Sequence, residues 1–151
     1  MLSYKKSLKL KELGFEIPRN KILGYWIKIT DACYDTSPIY FESIKELKHS
    51  VRDGYIPATD AENLLKQLPK KLCYERGKCK WERERIVSYG ESEIIESKNH
   101  GKEDLWLVGY AHWGDERDRM MDIFFENESL DEAVGNMLIW LIENKYIEVK
   151  K

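Results

Sequence analysis

Apolar residues recur at helical spacing most clearly over residues 129–147, which read SLDEAVGNMLIWLIENKYI. Leu130, Ala133, Val134, Met137, Leu138 and Leu141 follow the i, i+3, i+4, i+7 pattern of one helical face. Ser129 stands where an N-cap belongs, and Glu132 three residues later completes a predicted capping box. From Met137 onward the apolar positions spread around the axis. Ile139 points away from Leu130, while Trp140 and Ile142 flank the main face. A helix apolar on several sides is enclosed on several sides, so this one is expected to organise the core.

The rest of the chain alternates between the two periods. Residues 3–13 predict a short helix through Tyr4, Leu8, Leu10 and Leu13, with Gly14 as its left-handed stop and Pro18 preventing resumption. Residues 24–29 (GYWIKI) have strand composition, and 38–41 predict a second strand pairing with them. Ser43 and Glu46 form a capping box, with Ile44, Leu47 and Val51 marking a helix that ends at Gly54. A third box, Thr59 with Glu62, opens a helix striped by Ala61, Leu64, Leu65 and Leu68 and stopped by Pro69. Short strands are then predicted at 71–74, 85–89 and 93–97. The strongest is 105–113 (LWLVGYAHW), whose two faces are both apolar and mark a central strand. Residues 119–126 return antiparallel to it, with Met121, Ile123 and Phe125 on one face.

Helices before and after a run of antiparallel strands predict an α+β fold, an antiparallel sheet with helices packed on it and the C-terminal helix closing it. The 151 residues suffice for one domain, 1–151, with a possible small N-terminal lobe over 1–54. Within the sheet, Trp106, Val108, Tyr110, Met121, Ile123 and Phe125 are expected to receive Val134, Met137 and Leu141.

Composition narrows function by exclusion. Charged residues make up 34%, yet the formal net charge is only -2, so no global field attracts nucleic acid or anionic lipid. No apolar run approaches the roughly 20 residues of a membrane span. The charged N-terminus lacks a signal-peptide core, and three cysteines leave one unpaired, both of which predict a reduced, cytoplasmic protein.

The segments IPATDAENLLKQLPKKL and MLIWLIENKYI, with strands between them, resemble a set of small uncharacterised proteins from phages and mobile elements of gut bacteria. Those proteins share a short helix closing in Leu-Pro, a few strands and a Trp-rich C-terminal helix. The resemblance covers residues 55–147. It implies a bacterial or phage origin and assigns no activity to any residue.

Candidate chemistry is sparse. Cys73 and Cys79, with His100 and His112 downstream, are too widely spaced for a zinc knuckle, so neither metal nor cofactor is expected. His112 beside Trp113 reads as a structural histidine. Asp115, Glu116, Asp118 and Asp122 alternate with Arg117 and Arg119 in the manner of a solvated loop. No phosphate loop, serine elbow or HExxH is present, and no enzymatic activity is expected. The basic and aromatic segment 70–85 is the one patch suited to nucleic acid. There Lys78, Lys80, Trp81, Arg83 and Arg85 could track phosphate and stack a base, although Glu75, Glu82 and Glu84 are interleaved. The leading expectation is a non-enzymatic accessory protein that binds another protein through Ile139, Trp140 and Ile142. The same ridge could close as a homodimer, or the N-terminal lobe could cover it through Leu8, Leu13 or Phe15.

Overall fold

The computed structural model describes residues 1–28, 39–47, 50–52, 54–76, 79–91, 104–113 and 119–149. In chain order these form α1 (Tyr4–Glu12), a 3₁₀ turn (Arg19–Lys21), β1 (Gly24–Lys28), β2 (Ile39–Ser43), β3 (Ile56–Ala58) and α2 (Ala61–Leu65). Then follow β4 (Lys71–Arg76), β5 (Cys79–Glu91), β6 (Asp104–Trp113), β7 (Arg119–Asn127) and α3 (Leu130–Glu143). The strands make two antiparallel sheets, one ordered β2-β1-β3 and the other β4-β5-β6-β7. The protein is α+β, with its C-terminal helix packed on the larger sheet.

Residues on both faces of β6 are buried, Leu107 and Ala111 on one and Val108 and Tyr110 on the other. Its neighbours are β5 and β7, as a central strand requires. Val108 and Tyr110 join Val134, Met137 and Leu141 of α3 in one core, with Trp106, Ile123 and Phe125 packed at its margin. A register shift between Tyr110 and Ala111 pairs Ile123 with Tyr110 but Met121 with Ala111, a β-bulge in the β6–β7 ladder.

Two predicted helices are redrawn. Residues 43–51 form no helix among the described residues: β2 runs to Ser43 and a single turn follows, in which Glu46 and Leu47 donate to the Ser43 carbonyl at 3.0 Å. Local capping chemistry was satisfied by that one turn, and Ile44 and Val51 stay exposed with no surface to bury against. The helix before Pro69 is capped by Asp60, whose carboxylate accepts from the Asn63 amide. Thr59 is buried instead, donating its hydroxyl to the Lys21 carbonyl at 2.7 Å. Its neighbours Ile56–Ala58 pair with β1.

The first helix behaves as its sequence predicts. Ser3 caps it, and Gly14 at φ 85 ends it with Phe15 donating to the Leu10 carbonyl at 2.9 Å. Leu2 and Leu10 enter the main core. Gly135 of α3 lies against the start of the chain: a Cβ there would stand 2.5 Å from Leu2 Cδ1 and 3.2 Å from Lys6 Cδ of α1.

The N-terminus of α3 ties these pieces together. Ser129 caps the helix, but its own N–H donates to Asn127 Oδ1 at 2.9 Å, leaving the Glu132 carboxylate for α1. That carboxylate accepts from the Ser3 N–H at 2.8 Å and pairs with Lys6 Nζ at 2.5 Å. Asp131 receives the Ala61 N–H at 2.5 Å and the amino group of Met1. Burial opposes ionisation of Glu132, but the hydrogen bonds from Lys6 and Ser3 and the nearby Lys6 charge outweigh it and hold its pKa below the ordinary 4.5. A depressed carboxylate stabilises the fold above its unfolded value, and that contribution disappears as pH falls through the folded value. Stability should therefore drop below about pH 4.5. Glu132→Gln should be less stable than wild type at neutral pH, with the gap closing in acid. Denaturant midpoints of both proteins between pH 3 and 7 test this; parallel curves would deny the linkage.

Candidate interaction surface

The basic segment folds as the β4–β5 hairpin, with Lys71 opposite Glu84, Leu72 opposite Arg83 and Glu75 opposite Lys80. Lys78 lies outside the described residues. Lys80 and Trp81 are placed by main-chain register, opposite Glu75 and Tyr74. Strand alternation gives Trp81, Arg83 and Arg85 the parity of the core residue Leu72, and gives Lys80 the parity of Glu82 and Glu84. Oppositely charged residues thus neighbour each other across the ladder, and Lys71 Nζ pairs with Glu82 Oε1 at 3.2 Å.

Arg85 carries a structural task that its sequence context does not announce. Its Nη1 donates to the Leu65 carbonyl at 2.7 Å and the Leu68 carbonyl at 3.0 Å. The guanidinium thus adds a donor to the Leu65 carbonyl, which also accepts the Leu68 amide at 3.2 Å, and serves the Leu68 carbonyl just before Pro69. Beside it, the Tyr110 hydroxyl donates to the Pro69 carbonyl at 2.6 Å. Burial pushes the Tyr110 pKa up to about 12, against the opposing influence of Arg85. Together these two side chains pin the end of α2 over the sheet at the Arg85–Tyr110 pair.

The helix ridge is divided among three surroundings. Ile142 is buried in the core, and therefore is not part of an exposed interface. Trp140 is half-buried and stacks on Tyr146, ring centroids 5.4 Å apart at 20°. Ile139 is half-buried where α1 packs on α3, lining a groove with Leu8 and Lys5. The N-terminal helix thus lies beside Ile139, while Tyr146 covers Trp140.

Two of the exposed large apolar residues lie on the larger sheet. α3 packs against β6 and β7, and the end of α2 sits over Arg85 and Tyr110. Continuing along β5 on the same face come Val87, paired with Val108, and Tyr89, paired with Trp106. Val87 is 39% exposed and Tyr89 59% exposed. The Tyr89 and Trp106 rings lie 4.9 Å apart at 44°, forming an aromatic pair at the border of the core. Sequence reasoning placed Tyr89 at the end of a short strand and did not single it out. The predicted strand stops at residue 89, whereas β5 runs on through Gly90 to Glu91.

Cys33, His100, Asp115, Glu116 and Asp118 lie outside the described residues. Cys73 and Cys79 occupy β4 and β5, and His112 is half-buried near the end of β6. Among the described residues no group of three or more His, Cys, Asp and Glu side chains is placed to hold a metal ion. Nor is any helix among them long and apolar enough to cross a membrane. No protein-family model matches the chain, and neither do any of the curated proteins or solved structures compared with it.

Proposed function

We propose that this is a non-enzymatic accessory protein of phage or mobile-element origin that works in the cytoplasm by binding another protein through the strip Val87, Tyr89 and Trp106. The exposure of Tyr89 against Trp106 carries the reading. Large amphipathic aromatics immobilise few rotamers and are the side chains on which binding energy concentrates. The strip replaces the helix ridge as the favoured surface because Ile142 is buried and α1 lies over α3. Nucleic-acid binding through Lys78, Lys80, Trp81, Arg83 and Arg85 is the weaker reading. Carboxylates alternate with the cations of that hairpin, and Arg85 is engaged with α2.

A photocrosslinking residue at position 89 of the full chain, irradiated in extract of the encoding organism, tests the proposal. A specific protein adduct should form, be suppressed by excess wild type, and persist in excess Tyr89→Lys. Equal suppression by both competitors would defeat the reading. Mobility shift with mixed-sequence DNA and RNA addresses the rival, since phosphate binding must weaken steeply with salt.

A further inference from the structure

We infer that the β5 edge over residues 86–91 is a strand-addition site whose occupant is a second copy of this chain, paired antiparallel about a two-fold axis at Ser88. This rests on the protein-binding reading of the same strip and adds a self-pairing at its edge. β5 is much longer than β4, and its ladder with β4 ends at Glu84–Lys71. The ladder with β6 continues from Glu84 to Glu91. Among the described residues the far edge of β5 beyond Arg85 therefore has no strand beside it. The last bond on that side is Arg85 N–H to the Lys70 carbonyl, 2.9 Å.

That bond also orients the open edge. Main-chain groups of an antiparallel strand point alternately to its two sides, and those of Arg85 point away from β6. Val87 and Tyr89 share its parity, so their N–H and C=O groups face the side on which no described strand lies. The same residues are the exposed apolar ones. Natural edges are usually guarded by charge, proline or a bulge, and the stretch IVSYG has none of these. An occupant must be an extended chain that supplies donors and acceptors at alternate residues and apolar side chains beside Val87 and Tyr89.

The chain itself meets those terms. With the axis at Ser88, Val87 of each copy exchanges main-chain bonds with Tyr89 of the other. Their side chains then form cross-strand pairs of β-branched and aromatic residues. The charges agree as well. Lys70 stands at the Arg85 end of the open edge, while Asp104 pairs with Glu91 at the other end, and both Lys70 and Asp104 are exposed. Antiparallel pairing brings the basic end of each copy to the acidic end of its mate. Lys70 already occupies the place beside Arg85, which limits the new ladder to 86–90. The two sheets would become one, and the Tyr89–Trp106 strips of both copies would lie on the same side.

Sedimentation velocity on the full chain over a range of concentrations tests the inference, with Val87→Pro as the first variant. Proline at an outward N–H leaves the β5–β6 ladder intact but removes half of the new bonds, so dimerisation should weaken on the order of tenfold or more. A monomeric wild type would overturn the inference, as would a folded Val87→Pro that dimerises like wild type. Ser88→Cys supplies a second readout that does not depend on how the proline variant folds. The axis sets position 88 beside its own copy in a non-hydrogen-bonded pair, whose Cα separation suits a disulfide. Mild oxidation should give a dimer whose peptides are joined 88 to 88, and its absence with wild type as control would overturn the register. If wild type is monomeric while the crosslinker at position 89 still captures a different protein, only the self-pairing fails.

Discussion

Leu141→Ala should destabilise the protein by about 2–5 kcal/mol, lowering the thermal midpoint by roughly 5–20 °C. Leu141 has no solvent exposure and sits in the cluster that α3 shares with Val108 and Tyr110 of β6. Truncation removes the transfer energy of its side chain and leaves a cavity that close-packed neighbours refill only in part. Collapse is restrained on several sides. Val134, Met137 and Leu138 are equally inaccessible, and the Tyr110 hydroxyl is held by the Pro69 carbonyl. The carbonyl of Leu141 also accepts from the Tyr146 amide at 2.9 Å, so movement of this residue disturbs the end of the helix. Chemical denaturation with an unchanged m-value would measure the loss directly. A midpoint within experimental error of wild type would show that Leu141 does not anchor the helix to the sheet.

The sequence carried most of this core because burial imposes periodicity. The stripe from Leu130 to Leu141 and the two-sided strand LWLVGYAHW could be read without knowing their partners. Features set by distant neighbours were hidden. Glu132 is three residues from Ser129, which matches a capping box, yet its carboxylate bonds Ser3 and Lys6 because Asn127 already serves the cap. Arg85 alternates with other cations along a charged strand, and only the fold brings the α2 carbonyls to it.

The candidate surface was harder to read than the core. Exposure is a remainder: Tyr89 is bare because α2 ends over Arg85 and α3 lies over β6 and β7, and neither fact is written in the residues around Tyr89. The predicted ridge failed at Ile142 for the converse reason. A helix rich in apolar residues reports how much surface needs cover, and here α1 from the far end of the chain supplies part of it.

Gly24→Ala should be the most damaging small substitution in the smaller sheet, at about 1–3 kcal/mol or more. Alanine for glycine in extended backbone ordinarily stabilises a protein slightly by restricting the unfolded chain. At Gly24 the surroundings reverse the sign. β1 is the central strand, with Gly24 paired to Ser43 on one side and Ala58 on the other. A Cβ there would stand 2.3 Å from Phe41 Cζ and 2.5 Å from the Glu42 carbonyl oxygen. The ring could rotate away, but the carbonyl belongs to the β2 main chain and can retreat only if the strand does. Phe41 is further constrained by an edge contact with Trp26 at 5.3 Å. Trp26 in turn donates its indole N–H to the Leu2 carbonyl at 3.0 Å, and Leu2 packs on α3 at Gly135. Strain introduced at position 24 therefore reaches the main core through one hydrogen bond. Hydrogen exchange on Gly24→Ala should show β2 amides losing protection before those of β6, together with a lower melting temperature. A variant as stable as wild type, with β2 protection intact, would mean that β1 and β2 do not approach as closely as this.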